Sequence, residues 1–440
     1  MFGKITAQPE GIQWDMVKRP GMEMTLAMRR ARTAAAWGDT DDVVLVHAGG
    51  LIGRPGGQDQ CYPFRVHPHF RWLTGLSVRD AVLAFDPNDG ANGGWTEFFP
   101  SVTALDTVWE GLLPLGRGRA LSELPGWLEA RHGRTMTHLG TGYDATQSPL
   151  EQKILEARRP KDEAELVLLH RAVVATAAGF AAARSVLREG LTERELQIEI
   201  ESAFACSGAT GVAYDTIVGF GPTSAIFHAE PGSRALAIGE QVLIDAGAEV
   251  DGYCADVTRT LPGPGGFTSQ QDELMALLGG VERACCLACR PGVEWHEIHR
   301  IAARGIAQGL RDFGILRCSA EEALATEAIA LFFPHGVGHL VGLGVRDASG
   351  VGPGRSEKRR YCGVTPRCDL KLEPGFLATV EPGIYFIPAL LNDPANREKY
   401  ATQVDWETLG RWLTPGGFRI EDDILVTDGE PINLTAEIPY

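Results

Sequence analysis

The sequence has few basic residues for its acid content: 41 Lys+Arg stand against 57 Asp+Glu, a formal charge of −16 over 440 residues. Broad binding to nucleic acid or to an anionic membrane needs a basic face, so neither is expected. A site assembled from carboxylates remains compatible. Long apolar runs are missing too. None approaches the roughly 20 residues that cross a bilayer, and the opening MFGKITAQPEGIQWDMVKRPGMEM lacks the apolar stretch of a secretory signal. Cysteine is sparse, with nine residues and no disulfide-scaffold spacing. The densest group, Cys285, Cys286 and Cys289 in VERACCLACRPG, contains one CxxC but no second pair to complete a zinc site. It reads as an apolar helix face, and the chain is expected in a reducing cytoplasm.

What is present is ordinary globular material, 44% hydrophobic and 22% charged, long enough for two or three domains with sizeable cores. Residues 1–158 alternate strand-like runs (VVLVHAG, AVLAFDP, WTEFFP) with a helical candidate, MEMTLAMRRARTAAAW. They indicate a smaller α/β domain without a phosphate loop or nucleophile elbow. In RRPKDEAE a proline precedes acidic residues, the charge order of a helix start, and the second domain, 159–440, begins there. Its pattern is helices at about 161–188 and 192–207, strands in TIVGFG, QVLIDAGAEVDGY and ADVTRTLPG, helix again over 268–313, then strands in LFFPHGVGH, FLATVEPGIYF and FRIEDDILVTD. Helices followed by strands, twice over, predict α+β with a curved antiparallel sheet.

Five segments of this second domain place an acid or imidazole at or near a strand end. In VLIDAG an apolar run delivers Asp245, and eleven residues later Asp256 sits in YCADVTRT. A hairpin would set these two carboxylates side by side. PHGVGHLVGLG holds His335 and His339, whose intervening glycines disfavour a helix carrying both on one face. Pro382 biases Glu381 in TVEPGIY towards extended backbone, and Glu421 follows an alternating run in RIEDD. Each alone is ordinarily a solvated turn. Together, acids after apolar runs are costly to bury unless paired or metal-bound. Four carboxylates and one neutral imidazole suit two hard or borderline divalent ions.

The ordered series LIDAG, ADVTRT, HGVGHLVGL, TVEPGIYF and FRIEDD resembles the pita-bread metallopeptidases, over residues 155 to 435. The family includes methionine aminopeptidases, Xaa-Pro aminopeptidases and Xaa-Pro dipeptidases (prolidases). The resemblance implies a pita-bread catalytic domain in which Asp245, Asp256, His339, Glu381 and Glu421 hold two metal ions. Mn²⁺ is the expected metal, with Co²⁺ and Zn²⁺ as alternatives. The N-terminal domain and its PFRVHPHFRWLTGL imply the proline-specific branch, with that domain contributing to the substrate pocket and to a homodimer. The 40-residue interval between Glu381 and Glu421 looks more like prolidase. Arg367 lies where prolidases grip the substrate carboxylate.

The expected reaction is cleavage of the Xaa-Pro imide bond of a dipeptide by a metal-bridging hydroxide. Glu381 is the expected proton shuttle. By resemblance His228 approaches the scissile carbonyl or the proline carboxylate, His335 lines the pocket, Tyr214 lies near the metals, and Arg419 orients a ligand or the substrate. One departure stands out. Where the family reads GLxVHD, this chain reads GLGVRD, with Arg346 in place of a second active-site histidine. Arginine can hold an oxyanion or a carboxylate but cannot exchange protons near neutrality. GFGPTSA also departs from the usual GxGxN. The alternatives are an Xaa-Pro aminopeptidase acting on longer peptides and a catalytically impaired module that binds a partner.

Overall fold

Asp162, Thr192 and Thr268 each accept a hydrogen bond from the backbone three residues on, and each receives a side chain back from that residue. These capping boxes satisfy otherwise unpaired amides and open the helices Glu163–Val186, Glu193–Cys206 and Ser269–Ala288. The computed structural model describes residues 22–140, 148–352, 354–355, 359–412 and 416–439. The chain divides into two compact units between Arg158 and Arg159.

The first unit is a five-stranded sheet in the order Arg119–Ala120, Trp95–Phe99, Val82–Phe85, Val43–His47, Met136–Leu139. Val43–His47 is its centre of exchange. It runs antiparallel to Val82–Phe85 and parallel to Met136–Leu139, with Leu45 opposite His138. Val43, Leu45, Val82, Ala84, Phe98 and Trp127 form one buried cluster. The helix Met22–Trp37 is tied in where the Trp37 indole donates to the Leu150 carbonyl at 2.9 Å.

In the second unit the long helix Glu163–Val186 meets Glu193–Cys206 at Gly179, where a Cβ would lie 2.2 Å from Phe204 Cε1. Only glycine permits that approach. The helix is long and apolar enough to span a membrane, contrary to the expectation of no such run, yet half of its most apolar window is buried within the protein. Most strands form short antiparallel ladders: Ile217–Phe220, Gln241–Asp245 and Thr258–Pro262 in one, Leu377–Val380, Asp422–Leu425 and Ile432–Asn433 in another. Gly383–Phe386 pairs with Gly416–Arg419. A bridge between Thr258 and Glu421 links the first ladder to the segment that carries the last acid. The unit is α+β.

Four sequence expectations need correction. LFFPHGVGH is not a strand: a 3-10 turn at Ala328–Leu331 runs into loop, because Pro334 has no amide to donate. That loop is held by separate bonds, Glu381 N–H to the Val337 carbonyl and Tyr385 N–H to the Phe332 carbonyl, at 2.8 and 2.9 Å. FLATVEPGIYF and FRIEDDILVTD each break in two, at Glu381-Pro382 and at Ile420-Glu421. The expected helix 268–313 is two, Ser269–Ala288 and Trp295–Asp312, interrupted around Pro291-Gly292.

Gly179→Val is expected to lower the unfolding free energy by about 1–3 kcal/mol, the usual cost of overpacking. Urea denaturation checks this, and an unmoved midpoint would contradict the close helix contact.

Candidate active site

The buried run Val242-Leu243-Ile244 carries Asp245 to the end of its strand, opposite Thr258 on the neighbouring strand. Asp256 lies just before that neighbour, its N–H held by Asp423 Oδ2 at 3.1 Å. The break after Ile420 turns Glu421 to Thr258, whose hydroxyl donates to Glu421 Oε2 at 2.7 Å. His339 is fixed by Thr379, whose Oγ1 accepts its N–H at 3.1 Å while the Thr379 N–H donates back to its carbonyl at 2.8 Å. One ligand-type atom from each of Asp256, His339 and Glu421 lies within 4.8 Å of the others. These residues are 5%, 5% and 2% exposed. Asp245 and Glu381 stand beside this trio, near enough that their charges act on it.

Collecting acids out of water sets the electrostatics. Burial first, and neighbouring carboxylates second, hold Asp256 and Glu421 well above the usual carboxylate range. Burial also lifts Glu381 to about 7, against the opposing pull of Arg419. Arg419 is the guanidinium in direct contact: it donates to Asp245 Oδ2 at 2.5 Å, to Tyr385 Oη at 2.8 Å and to Thr258 Oγ1 at 3.0 Å. Tyr214 donates to the other Asp245 oxygen at 2.6 Å. His339 is pushed by burial down to about 4 and is neutral at pH 7. Its Nδ1 faces the Leu340 carbonyl at 3.1 Å, which places the proton there and leaves the Nε2 lone pair towards Asp256 Oδ2, 3.5 Å away. Buried carboxyl oxygens converging on one bare imidazole nitrogen fit a divalent cation, which would take them as carboxylates.

His335 does not share the direction of His339. Its Nε2 meets Tyr385 Oη at 2.9 Å, its Nδ1 meets the Gly336 carbonyl at 2.8 Å, and burial pushes it down to about 3. Phe227, Phe333 and Tyr385 pack edge-on around the ring. His228, Arg346 and Arg367 are exposed. The charges of Arg346 and Arg367 still reach the site, where both act on His339 and Glu381. The Arg346 loop is anchored by its neighbour Asp347, which forms a buried ion pair with Lys161 at 2.9 Å.

Sequence reasoning missed Thr258, Tyr385, Phe227 and Thr379. The alternation in DVTRT was a usable signal for Thr258, whereas Tyr385 and Thr379 matter only through long-range pairing. A second group, Glu294, His296 and Asp369, has ligand-type atoms equally close together. Arg355 bonds both of its acids, to Asp369 Oδ1 at 2.9 Å and Glu294 Oε2 at 2.5 Å, so the chain supplies its own cation there. Cys285 and Cys289 are buried in the core, and Cys286 donates to Glu282 Oε1 at 2.6 Å, so the CxxC packs as a helix face.

Residues 167–428 match Metallopeptidase family M24, and residues 26–122 match Aminopeptidase P, N-terminal domain. An Xaa-Pro dipeptidase of Stenotrophomonas maltophilia (strain K279a) is 31% identical over 443 residues, covering 94% of this chain and 95% of its own length. A protein named Probable Xaa-Pro aminopeptidase from Tuber melanosporum (strain Mel28) is 32% identical, covering 86% of this chain and 85% of its own. Among solved structures, Pseudomonas aeruginosa aminopeptidase PepP is similar with a TM-score of 0.76 at 27% identity, covering 94% of this chain and 95% of that one.

The acid cluster makes stability depend on pH in a defined direction. Glu381 titrates at about 7 in the folded chain against 4.5 ordinarily, and Asp256 and Glu421 shift the same way. The folded state therefore keeps protons that the unfolded state releases, a contribution complete below about pH 4.5 and lost as pH rises through about 7. The metal-free protein is expected to lose Tm over that window, and added Mn²⁺ to raise Tm more at neutral pH than near about pH 5. Equal increments at both pH values would contradict this.

Proposed function

The chain belongs to metallopeptidase family M24, and on that basis we propose that it is a dipeptidase that hydrolyses the imide bond of Xaa-Pro dipeptides. The observation that carries the reading is the pairing of a buried acid–imidazole cluster with two exposed guanidiniums, Arg346 and Arg367, whose charges reach it. In a dipeptide the terminal carboxylate lies only a few bonds from the scissile carbonyl. A guanidinium beside the cluster can hold that carboxylate with charge-assisted bonds while the carbonyl meets the acids.

Asp256, His339 and Glu421 would hold divalent ions, with Asp245 and Glu381 completing the set for two. Such ions supply Lewis acidity and lower the pKa of water. The chain's own residues do the rest. Glu381 can take a proton at its carboxylate and pass it to the departing prolyl nitrogen. His335 is the acceptor at the end of an ordered series in which Arg419 donates to Tyr385 Oη and Tyr385 donates to His335 Nε2. With its Nδ1 proton on the Gly336 carbonyl, His335 has no free lone pair and shapes the pocket as a neutral ring. Tyr214 and Arg419 fix both oxygens of Asp245. His228 is exposed next to Phe227, which packs on His335 and Tyr385, and we assign it to the substrate carbonyl or carboxylate. Arg346 takes the family histidine's place as a fixed positive charge. Mn²⁺ suits the oxygen-rich donor set, the nine free thiols support a reducing cytoplasm, and a homodimer is the proposed assembly.

The second reading, an Xaa-Pro aminopeptidase, is favoured by the likeness to aminopeptidase PepP. Incubation with Ala-Pro and with a longer Xaa-Pro peptide in Mn²⁺ separates the two, and cleavage of the longer substrate alone would overturn the dipeptidase reading. Arg346→Ala and Arg367→Ala are each expected to lower kcat/KM for Ala-Pro roughly ten- to a hundredfold, the loss of one charge-assisted bond. Metal content should not change, and the loss should shrink for the amide of Ala-Pro. An unaltered kcat/KM would remove these arginines from substrate binding.

A further inference from the structure

The N-terminal unit gathers histidines that the proposed reaction does not use. Along Val43–His47, alternate residues Val43, Leu45 and His47 face one side, with Val43 and Leu45 in the buried cluster. His138 lies opposite Leu45 on the parallel strand Met136–Leu139, which is the last strand of its sheet. The core stripe therefore ends in two imidazoles. His47 Nε2 and His138 Nδ1 are 3.0 Å apart, with nearly parallel rings at an interplanar angle of 15°.

His67 lies close to the ends of these strands. Gly140, at φ +78°, brings it in: a Cβ there would lie 2.7 Å from the His47 carbonyl oxygen and 3.0 Å from His67 Cγ. His67 Nδ1 is occupied by the His69 N–H at 3.3 Å, so that nitrogen is not offered to an ion. Burial pushes His47 down to about 4 and His67 to about 3. His47 is therefore uncharged near neutrality, as an imidazole ligand must be. His138 is exposed, which leaves the pair open to an ion from solution.

We propose that His47 and His138 form a two-nitrogen site for a borderline divalent transition ion of the Cu²⁺ or Zn²⁺ class. Nitrogens bound at about 2.0–2.1 Å to one ion sit about 2.9 Å apart at a right angle and about 3.4 Å apart in a tetrahedron. The observed 3.0 Å falls within that span. Water fills the other positions, and the ion exchanges freely because only two protein ligands hold it. Hard ions such as Mg²⁺ and Ca²⁺, which prefer oxygen ligands, do not suit this pair.

The test is a Cu²⁺ titration of the full-length protein by calorimetry, with electron paramagnetic resonance on the bound ion. His138→Gln and His47→Gln are titrated in parallel. Glutamine keeps a hydrogen-bonding side chain but offers no imidazole, and His138 is exposed, so His138→Gln should keep the wild-type Tm. The wild type is expected to take up one more equivalent of Cu²⁺ than either variant, with nitrogen coupling that the variants lack. Equal stoichiometry and unchanged spectra in His138→Gln would overturn the site and leave an ordinary hydrogen-bonded histidine pair.

Discussion

Mutual repulsion among carboxylates withdrawn from water is the constraint on which the second unit depends. Asp245, Asp256 and Glu421 are each less than a tenth exposed, and Glu381 adds its charge to theirs. Such a group persists only if something compensates it. Part of the compensation is built in: Arg419 on Asp245, Thr258 on Glu421 and Tyr214 on the far side of Asp245. The remainder is a shortfall of positive charge that a divalent cation meets. The fold tolerates this arrangement because it is assembled from short ladders. Breaks at Glu381 and Glu421, rather than continuous strands, let both acids turn inward.

Arg259 shows how the frame is stiffened behind the acids. It is fully buried and donates to the carbonyls of Glu421, Thr258 and Ile438 and to Asp422 Oδ1, at 2.6 to 3.0 Å. One guanidinium therefore ties the backbone of a site acid to the last residues of the chain. Lys161 does comparable work beneath Asp347, holding the loop that presents Arg346. Both are charges buried with partners, so their effect is to select one geometry more than to add stability. The site's electrostatic character follows: a buried, acid-rich floor with the exposed positive charges of Arg346 and Arg367 acting on it.

Much of this was legible in the residues. Asp245 was visible because an apolar strand ended on it, and Glu381 because proline forces extended backbone before it. The α+β class and the family followed from the order of such motifs, and the M24 match bears both out. Partnerships were not legible. Thr258 meets Glu421 through a bridge between residues 163 positions apart, and no local periodicity announces such a register. Nor did spacing show that His335 would turn to Tyr385 while its near neighbour His339 faced Asp256. LFFPHGVGH failed as a strand for a local reason that its proline already carried.

If the acid cluster exists to hold cations for hydrolysis, activity and metal must rise together. The direct measurement is a Mn²⁺ titration of chelator-stripped protein, following bound metal by elemental analysis and Ala-Pro hydrolysis on the same samples. The account predicts no hydrolysis in the stripped protein and a rate that climbs to a plateau as the cluster fills at about two equivalents per chain. Full hydrolysis by the stripped protein, or metal uptake that Asp256→Ala and Glu421→Ala leave unchanged, would contradict it.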